Sequence, residues 1–340
     1  MLQDNDKANN KTKKNWNISV PIIMLAMLLL FWAVYQSVSA ETTDIQRVSL
    51  GTGGVQSDAS SYFLSLSENA NIAAFESFNK NWWEDQKGVN FVDIFVRDQL
   101  ADITTKISVA PDGDPSDQRS FDPIVSADGR YISYNSYATN LVPNDTNRHP
   151  YSDDGLDVFV YDRTFQSLFR VTLDWAGQQI NANSVGRISP NAQYVIFTSD
   201  GRGVAKDDVG PRDVSAIYKR NIHTGTIERI TQGPNGEYPN AGVGGGIASY
   251  DGRYIVFVSE ATNLAGPDSN GVKDVFLYDS VTKETIIISR PMGGGQANGV
   301  SSPAEISSDG RFIVFRSEAT NLVPDDTNGQ PDVFVYDTLT

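Results

Sequence analysis

The chain has 340 residues, 42 Asp plus Glu against 27 Lys plus Arg, a formal net charge of −15, no cysteine and two histidines. A surface this acidic repels phosphate backbones, which argues against a nucleic-acid partner. Without cysteine there are no disulfide staples, and two histidines are too few for a histidine-rich catalytic metal centre.

Residues 1–17 are polar and carry Lys7, Lys11, Lys13 and Lys14; residues 18–35 are almost uninterrupted apolar, and Val38-Ser39-Ala40 follows. A basic start, an apolar core and small residues at −3 and −1 make a secretory signal cut after Ala40. The run is also nearly the length that spans a bilayer, so the alternative is an uncleaved anchor whose only membrane contact is 18–35. Either way, residues 41–340 are expected outside the cytoplasm, in the periplasm or at the cell surface.

From there one unit recurs five times. Residues 67–75, 126–134, 189–197, 249–257 and 307–315 align without a gap, the best copies reading S-x-D-G-R-[YF]-I-x-[FY]. Each is followed by a second apolar run, at Asp93–Asp98, Asp157–Asp162, 213–220, Asp274–Asp279 and Asp332–Asp337. Self-similarity at a period of about 60 residues signals an array of small sheets. Asp-Gly between alternating apolar runs is a hairpin turn, because both central residues need positive φ. In the second unit this places strands at 121–126, 131–135, 157–162 and 168–173. Four antiparallel strands per unit make the blade of an all-β, five-bladed β-propeller, with blades near 60–110, 120–174, 183–232, 245–290 and 302–340.

The fifth unit has no counterpart of Arg170-Val171-Thr172, Arg229-Ile230-Thr231 or the run 286–289, whereas Ile45-Gln46-Arg47-Val48-Ser49-Leu50 resembles them. Pairing of 45–50 with 332–337 is therefore expected to complete the last blade and remove two bare sheet edges.

Connections on one face of such a disc are tight (Asp128-Gly129, Asp251-Gly252, Asp309-Gly310), and all the length falls on the other, which is expected to be the working face. There the loop between second and third strands repeats as A-T-N-L, then Asp268-Ser269-Asn270-Gly271 before Asp274, and Asp326-Thr327-Asn328-Gly329 before Asp332. Hard oxygen ligands on alternate residues of a tight turn suit structural calcium; the same residues also serve as Asx-turns, in which case no cofactor is needed. In the links between blades, Gln56-Ser57-Asp58, Gln179-Ile180-Asn181 and Gln296-Ala297-Asn298 are candidates to ring the channel mouth and bind a polar ligand or peptide end. Blade one replaces A-T-N-L with a stretch holding Trp82 and Trp83, which either stack on a sugar or anchor a protein, or fold back over the blade.

Catalysis finds little support. Neither His149 nor His223 stands near a nucleophile signature, and the remaining option is a channel carboxylate pair such as Asp122 and Glu305, as in glycoside cleavage. No catalytic residue is assigned and the chain is read as a non-enzyme.

S-x-D-G-R-[YF]-I-x-F-x-S followed by D-V-F-V-Y-D resembles the WD-like repeat of TolB-type β-propellers. The likeness is clearest in residues 307–317 with Asp332–Asp337 and in residues 126–136 with Asp157–Asp162. It extends over 45–340 and is weaker in blades one and three, where Asn69-Ala70 and Asn191-Ala192 replace Asp-Gly. The resemblance implies an exported propeller acting as a platform for a protein or envelope component. Carbohydrate binding or cleavage, and a calcium-stabilised structural domain, are the other readings.

Overall fold

The computed structural model describes residues 45–79, 81–82, 91–147, 155–206, 208, 210 and 214–340, the side chains of Pro303 and Ala304 excepted. Residues 1–40, expected to direct export, Trp83, His149 and the blade-two insertion around it lie outside the described residues. The compact unit that carries the sheets runs Val48–Thr340.

Five antiparallel sheets follow one another along the described chain. Blade one holds β1 (Ser61–Leu66), β2 (Ile72–Ser77), β3 (Asp93–Asp98) and β4 (Ile103–Lys106). Blade two holds β5 (Ser120–Val125), β6 (Tyr131–Ser136), β7 (Asp157–Asp162) and β8 (Ser167–Arg170). Blade three holds β9 (Ser184–Ile188), β10 (Tyr194–Ser199), β11 (Ala216–Asn221) and β12 (Ile227–Arg229). Blade four holds β13 (Val243–Ala248), β14 (Tyr254–Ser259), β15 (Asp274–Asp279) and β16 (Glu284–Ile287). The last has three strands, β17 (Ser301–Ile306), β18 (Phe312–Ser317) and β19 (Asp332–Asp337).

The repeated letters now have physical roles. In S-x-D-G-R, Ser126 Oγ donates to Asp128 Oδ1 (2.6 Å), which also accepts Arg130 N, while Tyr131 N donates back to Ser126 Oγ (2.9 Å). Arg130 then crosses to Asp162 at the end of β7 (2.7 Å) and lies over the Tyr131 ring. Arg253 with Asp279 and Arg311 with Asp337 repeat the clamp. The Gly of the turn packs on the preceding blade: at Gly252, with φ +69°, a Cβ would stand 2.6 Å from the Tyr194 ring.

Aromatic pairs directly opposite across the second and third strands stack in every blade: Phe75–Phe95, Tyr134–Phe159, Phe197–Tyr218, Phe257–Phe276 and Phe315–Phe334. In blades two to five they face the preceding blade. Ile72, Ala74, Ile94 and Val96 thus meet Ile132, Tyr134 and Phe159, and Val256, Val258 and Leu277 meet Ile313 and Phe315. The loop motif plugs the same seams, with Ala138 and Leu141, Ala261 and Leu264, and Ala319 and Leu322 all buried. Turns of successive blades are stitched by backbone bonds: Glu68 N to Ala127 O (2.9 Å), Ala127 N to Pro190 O (2.8 Å), Asn191 N to Tyr250 O (3.2 Å) and Tyr250 N to Ser308 O (2.9 Å).

One expectation is corrected. Residues 45–50 add no strand to β17–β19; Leu50 instead bridges to Gln56. The reason is local. The stretch folds as a hairpin held against blade one, where Arg97 Nη1 donates to Gly51 O (3.1 Å) and Thr104 Oγ1 to Leu50 O.

Candidate functional site

First strands begin, second strands end and third strands begin at the long-loop face, and there blades two, three and four enclose a cavity of about 380 Å³. Its wall includes Asp122 on β5, Asn183 and Arg187 beside and on β9, Thr198 and Asp200 at the end of β10, and Gly244, Gly245 and Gly246 on β13.

A recurrent irregularity builds this wall. β5 and β13 each carry a bulge against the neighbouring strand, as do β1 and β17, while β9 pairs regularly. The bulged residue has positive φ at Asp122 (54°) and at the matching Gly245 (72°). A bulge re-aims its side chain. At blade four that side chain is missing, and nothing lies within 4 Å of where a Gly245 Cβ would stand. Three successive glycines thus leave bare peptide facing the cavity.

Polar side chains tie these inner strands together: Glu76 Oε1 accepts Asp122 N (2.6 Å) and Asn135 Oδ1 accepts Gly186 N (2.9 Å). Burial pushes the Glu76 carboxyl above its ordinary value, and the charge of Asp122 adds to the rise against the backbone bond that opposes it. By contrast, the side chains of Asp122, Arg187 and Asp200 make no hydrogen bond or ion pair with another described residue. The cavity therefore offers one guanidinium and two carboxylates whose hydrogen-bonding capacity is open to a ligand.

The residues singled out from the sequence lie elsewhere. Gln179 Nε2 donates to Asp145 Oδ1 (2.9 Å) and its Oε1 accepts Thr146 N (3.1 Å). Gln296 accepts Ser269 N (3.2 Å) and donates to Pro267 O (3.0 Å). Asn298 interlocks with the next loop, accepting Thr320 N (2.8 Å) while its own N–H reaches Asn321 Oδ1 (3.1 Å). These amides fasten links to loops and do not line the cavity. Asn181 and Asp58 also lie in links, and Gln56 is exposed at the end of the hairpin before β1.

Trp82 lies folded back over blade one, one of the two arrangements expected for it. Its ring meets Phe75 and Phe95 edge-on at 6.1 and 5.4 Å, and its Nε1 donates to Val55 O (3.1 Å). It covers the aromatic pair that in every later blade is covered by the blade before.

In the D-x-N-G loops the asparagine amides point donors at the aspartates expected to hold calcium. Asn270 turns its Nδ2 toward Asp274 Oδ2 (2.9 Å) and Ala297 O (3.2 Å) while its Oδ1 accepts Val272 N, and Asn328 Nδ2 likewise faces Asp332 (3.3 Å). A donor stands where a cation needs an oxygen. Asp274 is capped instead by Ser289 Oγ (2.6 Å), and burial raises the nearby Asp268 carboxyl, with the Asp274 charge adding to it. Asp122 and Glu305 do not form a pair at the cavity: Glu305, on β17, is outside the wall.

Arg187, Asp200 and the triple glycine escaped the sequence reading because they occupy positions that differ from blade to blade. The run Gly244-Gly245-Gly246, which interrupts the alternation expected of a strand, was the available signal.

No family model matches the chain, and no curated relative does. Solved structures do. An oligogalacturonate lyase from Vibrio parahaemolyticus aligns at TM-score 0.50 and 13% identity over 88% of this chain and 70% of that one. A prolyl endopeptidase structure aligns at TM-score 0.50 and 11% identity over 82% of this chain and 34% of that one. TolB from Acinetobacter baumannii aligns at TM-score 0.45 and 15% identity over 83% of this chain, which spans 56% of TolB. Identities this low establish the fold alone, an all-β propeller. The expectation that the chain is not an enzyme is corrected by the same neighbours, since the fold also occurs in a lyase and in peptidases. Propeller shape thus leaves catalysis open.

Proposed function

We propose that this chain is an exported binding propeller that engages a protein or envelope component through its long-loop face, with the cavity of blades two to four receiving a charged projection of the partner. The observation that carries the reading is the meeting of Arg187, Asp122 and Asp200, unpaired among the described residues, with the bare backbone of Gly244–Gly246. A peptide segment carrying both an acidic and a basic group complements that wall, and exposed glycine backbone lets it approach closely. Export is supported by the signal-like segment 1–40; among the described residues no helix is long and apolar enough to cross a membrane.

The test is site-specific photo-crosslinking in intact cells from position 245, with position 128 on the tight-turn face as control. A discrete adduct at 245 that disappears in Arg187→Glu is expected. Equal labelling from both faces, or an adduct indifferent to Arg187→Glu, would refute the reading.

A further inference from the structure

The seam between blades one and two holds a second cavity, of about 410 Å³, with Val96, Ala101, Ile103 and Ile107 of blade one on its wall and Tyr161 and Gln166 of blade two facing them. It shares no residue with the cavity of Arg187.

One short side chain accounts for it. The fourth residue of each third strand is paired with a fourth-strand residue: Val96 with Thr105, Val160 with Phe169, Lys219 with Glu228 and Leu277 with Ile286. Phe169 packs into the core that blades two and three share, and Glu228 reaches across to blade four. Thr105 is too short to do either.

The Glu228 contact is the template for this place. Its carboxylate accepts Tyr278 Oη (2.9 Å) and Lys283 Nζ, and a second ammonium, that of Lys219, interacts with it while donating to Gly252 O (2.6 Å). The seam of blades one and two repeats the donors. Tyr161 is the counterpart of Tyr278, and Gln166 that of Lys283, both turn residues having positive φ (49° and 64°). Arg163 Nη1 donates to Gly129 O (2.9 Å), the turn carbonyl that matches Gly252 O. What differs is the acceptor. With Thr105 in the place of Glu228, the Tyr161 hydroxyl and the Gln166 amide have no hydrogen-bond partner among the described residues. Burial pushes the Tyr161 hydroxyl above its ordinary value, so at neutral pH it is a donor.

The charges differ as well. Val96 and Gln166 stand in the places of Lys219 and Lys283, and Arg163 is paired with Asp98 (2.8 Å). A carboxylate held here would face Asp98 without the two lysines that balance Glu228, and burying an uncompensated charge is costly. An uncharged acceptor fits the polar end of the cavity. The apolar wall, flanked by the exposed Leu100 and Phe165 in the adjoining turns, fits an aliphatic body.

We infer that this seam binds a small uncharged aliphatic molecule headed by a carbonyl oxygen, of which an aliphatic amide is the simplest case. The oxygen takes the place of the Glu228 carboxylate and accepts from Tyr161 Oη and Gln166 Nε2, and the chain lies along Val96, Ile103 and Ile107. This does not depend on what the cavity of Arg187 binds. The test is calorimetric titration of the full chain with octanamide and, separately, with octanoate. Saturable binding of octanamide and weaker binding of octanoate are expected. Tyr161→Phe, which removes one hydrogen bond and keeps the ring, is expected to weaken octanamide by about three- to tenfold. Thr105→Phe, which fills the seam as Phe169 does, is expected to abolish it. Absence of saturable binding, octanoate bound as tightly as octanamide, or octanamide binding unchanged in either variant would overturn the proposal.

Discussion

Blades two and four share the turn, the Arg–Asp clamp and the A-T-N-L plug almost letter for letter, but they balance buried charge differently. In blade two Arg170 on β8 sits between Asp145 (3.1 Å) and Asp157 (3.5 Å), all three side chains nearly inaccessible. Its counterpart in blade four is Ile287, so Asp268 and Asp274 lie together with no arginine in that place, and Asn270, Ser289 and the local backbone carry the hydrogen bonds. The same contrast runs through the inner strands, which present Asp122 in one blade and three glycines in the other. The repeat fixes clamp, plug and stitch, and leaves free the positions that decide charge and access.

The largest expected effect comes from giving blade two the blade-four residue. Arg170→Ile strands two buried carboxylates, and breaking a buried pair this way costs about 3–5 kcal/mol, measured by urea unfolding at pH 7. The loss is expected to shrink toward pH 4, where the carboxylates take up protons. An equal loss at both pH values would show that packing, not charge, is what Arg170 supplies.

Next is Gly252→Ala in the blade-four turn. Positive φ and the clash with the Tyr194 ring together predict a loss of about 1–3 kcal/mol, whereas Gly177→Ala, also at positive φ but with nothing near its Cβ, bears only the conformational part. Matching losses would mean that the turn does not seat on its neighbour.

The third prediction concerns pH. Burial pushes the Asp157 carboxyl up to about 7, against the Thr172 hydrogen bond and the Arg170 charge. The folded state therefore holds that proton more tightly than the unfolded chain. Stability from this group is highest below about pH 4, falls between about 4 and 7, and is level above. Asp157→Asn is expected to flatten the melting temperature across that window. Asp279, which the Arg253 hydrogen bond holds below its ordinary value, acts in the opposite sense and only at lower pH. The smallest expected effect is none: a calcium chelator leaves the melt unchanged, because the Asn270 amide presents a donor toward Asp274.

The strands were the most legible part. Asp93–Asp98, Asp157–Asp162, Asp274–Asp279 and Asp332–Asp337 fall where the apolar runs place them, since a period-two pattern bounded by Asp fixes register and face together. The structure shows why the motif letters recur: the polar ones close hydrogen bonds or ion pairs within a turn, across a blade or between a link and a loop, and the apolar ones pack the seams. That regularity also draws attention to residues that do not line the cavity. Gln179, Gln296 and Asn298 repeat because they fasten blades, while Arg187 and Asp200, which face the cavity, are peculiar to one blade. Trp82 left two arrangements open, because nothing local distinguishes a tryptophan that covers a sheet from one that meets a ligand.

The stitches between turns all point one way. Each donor waits for a carbonyl in the blade that follows it in the chain, and at Pro190, which has no N–H, Asn191 takes over the task. During synthesis from the amino end, each of blades one to four therefore carries a backbone donor whose protein partner is made only with its successor, so assembly should proceed in the order of translation, with the most recent blade the least protected against hydrogen exchange.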